Sequence, residues 1–526
     1  MSPVLRSPAT GNDLRSALML TLALTAARLV ALFSTPLELY PDEAQYWLWS
    51  RTLDFGYYSK PPMIAWAIWA TTAIGGDAEA WVRLSACLFQ AGATVVVFLI
   101  ARRLYDGATG LAAAALYGLM PGVQLSALVA ATDAPLLFFL GLSVLAYVAH
   151  LQTVDARRRL LLAVGFGAAL GLAFLSKYAA VYVVIGLAAH LLASAEARRA
   201  WSPPTAAAAM LAAASVLAPN LAWNATHGFA TFQHTAANAA WSGVQLFNLA
   251  EAGTFLVSQF GVFGPIPMGA LIAGVGIAAA RRRLSQSDLL LLCFTLPPLL
   301  IVTVQAFISR ANANWSGAAY LTGTILVAAW LLRWRARRWL IAAIALQGFV
   351  AAFFLAAVIS PALADKVGLA NGLKRARGWS QTADLILDRA FREPGLTAIA
   401  VNNRFLFYST AYYGRQRLAE LGVPLASWLL MEGPRNQAET AAPLTPAIGG
   451  HVLMVSYEGW RRGEMQADFE ASSGLEIGSV WLDRKHKRKI EMFTGQGFRP
   501  SPRDPVSGLP ASVPAASAPP GRPTPL

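Results

Sequence analysis

The stretch SALMLTLALTAARLVALFSTPLELYPDEAQYWLWS, residues 16–50, joins a long apolar run to a short acidic and aromatic segment. As a helix, residues 16–35 are long enough to cross the hydrocarbon core of a bilayer, since about 20 apolar residues span about 30 Å. The segment that follows places Asp42 beside Glu43, in a chain of which only 13% of residues are charged. Carboxylates next to a membrane span are costly unless they are used, so this pair is the first candidate for function.

The rest of the 526-residue chain repeats the apolar pattern. It is 56% hydrophobic with a mean hydropathy of +0.48, more than a soluble globular protein carries. The apolar residues are concentrated in separate runs of membrane-spanning length, which predicts an all-α polytopic membrane protein with about eleven spans. The predicted spans are 16–35, 80–101, 107–126, 134–152, 160–175, 178–195, 204–222, 252–279, 287–307, 315–332 and 339–360.

Arginine clusters set the predicted orientation of these spans. The net charge is +14, but the clusters stand between apolar runs rather than along one polar face, which argues against nucleic acid. They fall in every second loop, as the positive-inside rule requires, and so predict a cytoplasmic N-terminus. The clusters are Arg102/Arg103, Arg157–Arg159, Arg198/Arg199, Arg281–Arg283 and 333–338.

The apolar segment 61–76 is too short to span and is predicted to be an interfacial helix.

The composition changes after residue 360. Short alternating stretches, LTAIAVNNRFLFYS, HVLMVSYEGW and LEIGSVWLDRKHKRKIEMF, are typical of strands with polar connections. We therefore expect a transmembrane domain at 1–360, with a first outer loop at 36–79, and a small α/β domain on the outer face at 361–497. Proline, serine and alanine dominate residues 498–526, which are expected to be disordered.

Two outer-loop positions carry acids that have both a structural and a chemical interpretation. In PDEAQ, Asp42 stands where a helix N-cap would stand and Gln45 follows three residues later, a capping-box pattern, with Glu43 favoured in the first turn. Thr132 or Asp133 is a candidate N-cap before Pro135. Asp133 also ends a span on the same predicted face as Asp42, so the two acids are positioned to share one outward cavity.

Three cations lie on the same predicted face. They are Lys60 in YYSKPP, Lys177 in FLSKYAA and Arg310 in ISRANANW. A single basic residue at a span end commonly extends toward lipid headgroups. Three of them beside two acids fit another use, since carboxylates can take up a proton while ammonium and guanidinium groups hold a phosphate.

Other kinds of site find little support in the sequence. Cys87 and Cys293 both lie in apolar runs, so no disulfide framework or cysteine metal site is expected. His227 and His234 are seven residues apart, which is not a metal-binding signature. No P-loop, dinucleotide fingerprint or nucleophile elbow occurs. The sequence indicates no cofactor with certainty and leaves a divalent metal ion as the one candidate.

The motifs resemble those of a known family. LYPDEAQYWLWS at 39–50, FGYYSKPPMIAW at 55–66 and ATDAPLLFF at 131–139 are similar to motifs of the bacterial members of the dolichyl-phosphate-mannose protein mannosyltransferase superfamily, including the aminoarabinose and galacturonic acid transferases of lipid A and lipopolysaccharide core. The resemblance implies a GT-C fold and a polyprenyl-phosphate sugar donor. It maps the catalytic aspartate to Asp42, the lysine before proline to Lys60 and the acid after the third span to Asp133. Ser59 departs from the aminoarabinose enzymes, which carry an acid there.

The implied reaction is a single inverting displacement. Asp42, with Glu43 and Asp133, would serve an acceptor hydroxyl, and Lys60 with Arg310 or Lys177 would stabilise the departing polyprenyl phosphate. Lipid A, lipopolysaccharide core or another envelope glycan is the expected acceptor, and a monomer in the bacterial inner membrane is the expected state. A secondary transporter or flippase of lipid-linked sugar is the alternative, and Arg28, inside the first span, is the main residue that favours it.

Overall fold

The computed structural model describes residues 11–239, 247–281, 284–430 and 433–504. These residues form two compact units. The first joins the described residues up to Thr35 to Leu53–Ile359, and the second joins Pro36–Thr52 to the described residues from Ser360 onward. The segment that carries Asp42 and Glu43 thus belongs to the second unit, whereas the sequence grouped it with the transmembrane domain at 1–360.

The first unit is built from α-helices. All helices up to residue 359 except α2 belong to it. In chain order the helices are α1 (Gly11–Ser34), α2 (Pro41–Ser50), α3 (Met63–Gly75), α4 (Glu79–Leu104), α5 (Gly107–Leu119), α6 (Pro121–Leu128), α7 (Asp133–Gln152), α8 (Ala156–Ser176), α9 (Val181–Ala193), α10 (Ala195–Ala200), α11 (Pro203–Thr226), α12 (Ala230–Ala239), α13 (Leu249–Phe263), α14 (Pro265–Arg281), α15 (Gln286–Ile308), α16 (Ala318–Arg333) and α17 (Arg337–Ile359).

Apolar helices occupy the eleven predicted span positions within the described residues. Seven are long and apolar enough to cross a membrane singly, two positions hold bent helix pairs, and two hold the shorter helices Tyr178–Ala193 and Ala318–Arg333. The 13-residue helix α3 lies where an interfacial helix was predicted. The predicted all-α polytopic fold is confirmed, while Arg282 and Arg283, which belong to one of the arginine clusters, lie outside the described residues.

Two of the predicted spans, 107–126 and 252–279, are each a bent pair of helices and not one continuous helix. The pair α5 and α6 is bent by 59°, and the pair α13 and α14 by 115°. Pro121 and Pro265 begin the second helix of each pair, and proline has no amide hydrogen to continue the hydrogen-bond ladder. Gly264 adds a φ of 99°, a backbone conformation that favours glycine.

The buried Arg28 serves the first of these breaks. Its side chain is 1% exposed and donates to the carbonyl oxygen of Gly118 at 2.5 Å and to Oε1 of Gln124 at 3.2 Å. In an unbroken helix that carbonyl would accept a hydrogen bond from the amide of Gly122. Arg28 therefore satisfies a carbonyl group at the bend, which gives it a structural role and removes the main residue that favoured a transporter.

Close helix packing in the first unit depends on small residues. Gly167 in α8 faces α11, and a Cβ atom at this position would stand 2.0 Å from the carbonyl oxygen of Ala209. Glycine is therefore required for this approach of two backbones, as is common between membrane helices.

The second unit contains a five-stranded mixed sheet in the order β2-β1-β3-β5-β4. Strand β1 pairs in parallel with β2 and β3, and β5 pairs antiparallel with β3 and β4. The predicted small α/β domain is thereby confirmed. Its strands are β1 (Ala398–Val401), β2 (Leu425–Ser427), β3 (His451–Ser456), β4 (Phe469–Trp481) and β5 (Lys487–Phe498), and its further helices are α18 (Pro361–Lys366), α19 (Ala370–Leu373), α20 (Trp379–Phe391), α21 (Arg404–Tyr413), α22 (Arg415–Leu421), α23 (Gln437–Ala441) and α24 (Arg462–Gln466).

Two details of this unit differ from the sequence prediction. The stretch LTAIAVNNRFLFYS is strand only at 398–401 and then becomes helix α21, because Asn403 caps a helix by accepting from the amide of Phe405. Residues 499–504, in the segment expected to be disordered, lie against the domain, where Arg503 forms a buried ion pair of 2.7 Å with Asp468. Residues 505–526 lie outside the described residues.

Candidate active site

Helix α2 determines which of the two adjacent carboxylates, Asp42 or Glu43, is buried at the start of the helix. It begins at Pro41, which makes Tyr40 the N-cap and Glu43 the third helical residue. Oε2 of Glu43 accepts a hydrogen bond of 2.9 Å from the amide of Tyr40, and the Glu43 side chain is fully buried. The prediction that Asp42 would be the N-cap, with Gln45 as its capping-box partner, was wrong, because proline occupies the first helical position and moves the cap back by two residues.

Asp42 is left on the surface of α2 by this arrangement. About half of its side chain (52%) is exposed, and its Oδ1 accepts a hydrogen bond of 2.9 Å from Arg404 at the start of α21. The same guanidinium nitrogen of Arg404 donates to Oε1 of Gln45 at 2.7 Å. Burial acts to lower the pKa of Arg404, but the charge of Asp42 and its hydrogen bond outweigh that effect and raise the pKa. Arg404 is therefore a permanent cation beside the candidate base.

The segment that carries Asp42 is anchored to the C-terminal part of the second unit. The Glu38 carboxylate accepts from the backbone amides of Trp379 and Ser380 at the start of α20. The amide of Leu39 donates to the hydroxyl of Tyr413 at 2.7 Å, and the ring of Trp47 packs edge to face against Tyr412 with centroids 4.8 Å apart. The position of Asp42 thus depends on the C-terminal domain.

A second charged group lies in the first unit. Nζ of Lys177, which ends α8, donates to Oδ1 of Asp133 at 2.9 Å, and each of these side chains is about a fifth exposed. Asn314 donates to the other oxygen of Asp133 at 3.3 Å. Thr132 is the N-cap of α7 and makes no side-chain capping bond. Two predicted site residues from distant parts of the chain are therefore brought into contact, and Asp133 is engaged by polar side chains.

Lys60 lies on a tight turn whose backbone is well fixed. The backbones of Tyr57 and Lys60 exchange hydrogen bonds of 3.1 and 3.3 Å across the turn, and the carbonyl of Tyr57 also accepts from the hydroxyl of Thr231 at 2.7 Å. Nearby, the indole of Trp223 donates to the carboxylate of Asp54 at 2.7 Å. These contacts determine where the lysine leaves the backbone.

Of the three predicted cations, Arg310 has the most exposed side chain. Its side chain is exposed, while its backbone carbonyl accepts a hydrogen bond of 3.1 Å from Gln305. Asp42 lies in the second unit, and Asp133, Lys60, Lys177 and Arg310 lie in the first. The predicted convergence of the two acids on one cavity stays a prediction.

The described residues offer no group of ligands for a divalent metal ion. In the parts of the chain that the structure describes, no three His, Cys, Asp or Glu side chains are grouped to hold a metal ion. His227 is stacked on Trp223 with ring centroids 4.1 Å apart, and its Nδ1 lies 2.8 Å from the Trp223 carbonyl oxygen. We therefore derive no step of the reaction through a metal.

Sequence reasoning missed Arg404 and Asn314, which contact the two acids. Arg404 follows the short apolar stretch AIAV and two asparagines, a pattern typical of a residue at the carboxyl end of a buried strand. Polar residues at such strand ends commonly form sites in α/β folds. That signal existed, but it did not indicate Asp42 as the partner, 362 residues away.

Comparisons with known proteins agree with the resemblance. The family described as dolichyl-phosphate-mannose-protein mannosyltransferase matches residues 59–223. The lipid A galacturonosyltransferase RgtD of Rhizobium johnstonii is 38% identical over 450 residues, which cover 84% of this chain and 91% of that protein.

Solved structures of ArnT from Cupriavidus metallidurans share the fold. The apo form gives a TM-score of 0.64 at 15% identity, and the form bound to undecaprenyl phosphate gives 0.63 at 16% identity. Each match covers 90% of this chain and 97% of the ArnT chain. The predicted GT-C architecture, with its small C-terminal sheet domain, is confirmed.

Proposed function

Since this chain belongs to the family of the bacterial lipid A galacturonosyltransferases, we propose that it transfers galacturonic acid from a polyprenyl-phosphate donor to lipid A. The chain is a membrane glycosyltransferase with multiple apolar helices, of the bacterial inner membrane. The observation that carries the choice of sugar and acceptor is the 38% identity to RgtD over 84% of the chain. Ser59, at the position where the aminoarabinose enzymes carry an acid, supports the same choice.

The proposed reaction is a single displacement at the anomeric carbon. The acceptor hydroxyl oxygen forms the new bond to this carbon, and its proton passes to the Asp42 carboxylate, which acts as general base. The bond to the phosphate oxygen breaks with inversion, and the electron pair leaves with the polyprenyl phosphate. That group needs no general acid because a phosphate monoester is already a stable anion.

Cations of the first unit are proposed to hold the phosphate. Lys60 is the first candidate, because a fixed turn presents it next to two prolines. Arg310 is the second, because its side chain is exposed. Lys177 is ion-paired with Asp133, so in this proposal the pair orients the donor and does not neutralise the phosphate alone.

The active site and the C-terminal domain are proposed to face the periplasm. The arginine clusters that the structure describes lie at helix ends such as Arg102/Arg103 in the last turn of α4 and Arg198/Arg199 in the last turn of α10. The positive-inside rule assigns such ends to the cytoplasm. By the same rule, the predicted spans that precede residues 36–52 and residue 361 end on the periplasmic side.

The proposal is tested with purified full-length protein in lipid nanodiscs. The protein is incubated with lipid A and undecaprenyl-phosphate galacturonic acid, and lipid A is analysed by mass spectrometry. Parallel reactions contain undecaprenyl-phosphate aminoarabinose or a nucleotide-activated galacturonic acid. We expect one uronic acid added to lipid A with the first donor only. Transfer from the aminoarabinose donor alone would refute the assigned sugar, and transfer from the nucleotide donor alone would refute the lipid-linked mechanism.

A further inference from the structure

The ion pair between Asp42 and Arg404 connects helix α2 with the first turn of helix α21 in the C-terminal domain. The two residues are 362 positions apart in the sequence, and the contact is 2.9 Å long. It involves only Oδ1 of Asp42, so in the described part of the chain Oδ2 of the carboxylate accepts no hydrogen bond from a side chain or a backbone amide. One oxygen is held by Arg404, and the Asp42 side chain as a whole is about half exposed.

Arg404 is itself held in place by its surroundings. It stands directly after Asn403, which caps α21 and donates to Oε1 of Glu458 at 2.9 Å, just beyond strand β3. Its guanidinium lies over the ring of Phe405, 4.6 Å from the centroid, and also donates to Gln45. The parallel strands β1 and β3 therefore present this guanidinium at their carboxyl ends, where its direction is defined.

We propose that Arg404 is a positioning residue for catalysis: it fixes Oδ1 of Asp42 and thereby directs Oδ2 toward the acceptor hydroxyl. This inference rests on the proposed function, in which Asp42 is the general base. It makes the C-terminal domain a functional part of the active site, because the domain supplies the group that orients the base.

The chemistry of the pair suits this role. The hydrogen bond from the guanidinium to Oδ1 of Asp42 is charge-assisted, and such bonds have a defined direction. The pair is partly exposed, with 37% of the Arg404 side chain and 52% of the Asp42 side chain accessible. Solvent therefore screens the attraction, and the pair adds little to the stability of the fold. Its main effect is on the direction of the carboxylate.

The test compares Arg404 variants with a matched control. Arg417 is also a partly exposed arginine of the C-terminal domain and pairs with Asp384 and Asp388. In the nanodisc assay, Arg404→Ala should lower kcat by about 10- to 100-fold, since misplacing a catalytic group by about 1 Å can cost about 10²-fold. KM for the donor should stay near the parental value, Arg404→Lys should recover most of kcat, and Arg417→Ala should behave like the parent.

A double-variant cycle separates positioning from a general loss of structure. In an Asp42→Asn background, Arg404→Ala should cause no further loss, because its effect acts through the carboxylate. If Arg404→Ala melts at a lower temperature than the parent, Arg404→Gln and Arg404→Lys are compared instead, since both keep a long polar side chain and differ in charge. Parental kcat in Arg404→Ala, or a full additional loss in the Asp42→Asn background, would overturn the inference while leaving the proposed function intact. Failure of the parent to modify lipid A would refute the function itself.

Discussion

Replacing Asp42 with asparagine separates its chemical role from its structural one. The N-cap of helix α2 is Tyr40, and its amide donates to Glu43 and not to Asp42, so the substitution leaves this bond in place. The asparagine side-chain oxygen can still accept from Arg404, and the ion pair that is lost is partly exposed. Such pairs contribute about 0.2–1 kcal/mol, so we expect a loss in the free energy of unfolding below about 1 kcal/mol.

The expected effect of Asp42→Asn on catalysis is much larger. An amide cannot take up the proton of the acceptor hydroxyl, and loss of a general base costs about two to four orders of magnitude in rate. That range corresponds to about 3–5 kcal/mol in the activation free energy. The large difference between the catalytic and the structural effect makes the outcome easy to interpret.

The assay measures initial rates of sugar transfer and the thermal midpoint of the same purified preparations. Glu43→Gln is the matched control at the adjacent position, because its amide oxygen can still accept from Tyr40, and it should lose less activity than Asp42→Asn. Glu43→Ala should instead lower the free energy of unfolding by about 1.5–3 kcal/mol through loss of the hydrogen bond between its carboxylate and the Tyr40 amide. Near-parental transfer by Asp42→Asn would refute the assignment of the base and direct attention to Asp133.

Three further predictions concern the first unit and its orientation. Lys60→Ala should abolish binding of the polyprenyl-phosphate sugar donor, measured by titration of that donor, while Lys60→Arg keeps part of it, because a phosphate accepts a charge from either residue; equal affinity in the alanine variant would remove Lys60 from the phosphate site. Asp133→Asn and Lys177→Met should each lower turnover by about tenfold or more, and the double variant should be no worse than the single ones; additive losses would show that the pair does not act as one element. A reporter enzyme that is active only in the periplasm should be active when fused after residue 365, and a reporter that is active only in the cytoplasm should be inactive there. Activity of the cytoplasmic reporter would contradict the assigned topology.

Local sequence features predicted much of the fold. The apolar runs located the long apolar helices of the first unit, and alternation located β3 and parts of β4 and β5. The two helix breaks and the first residue of α2 were not predicted, although proline and glycine residues marked them in the sequence. Pro121 and the pair Gly264 and Pro265 marked the two helix breaks, and Pro41 marked the first residue of α2. Proline positions would have given each of these boundaries correctly.

The contacts of the candidate site were harder to predict than its residues. Asp133 and Lys177 were identified separately from their places at helix ends, but their ion pair depends on how α7 and α8 pack. Arg404 could be located at the end of a buried strand, yet its pairing with Asp42 depends on segment 36–52 folding with the C-terminal domain. A single sequence carries no local signal for contacts across such distances in the chain.

The central claim is that this protein adds a sugar to lipid A and that Asp42 is required for the addition. It is tested most directly by mass spectrometry of lipid A from the source bacterium carrying the intact gene, a deletion, the deletion complemented with the parental gene, or the deletion complemented with Asp42→Asn at equal protein level. We predict that the uronic acid on lipid A is lost in the deletion strain, restored by the parental gene and not restored by Asp42→Asn. Unchanged lipid A in the deletion strain, or full restoration by Asp42→Asn, would contradict the claim.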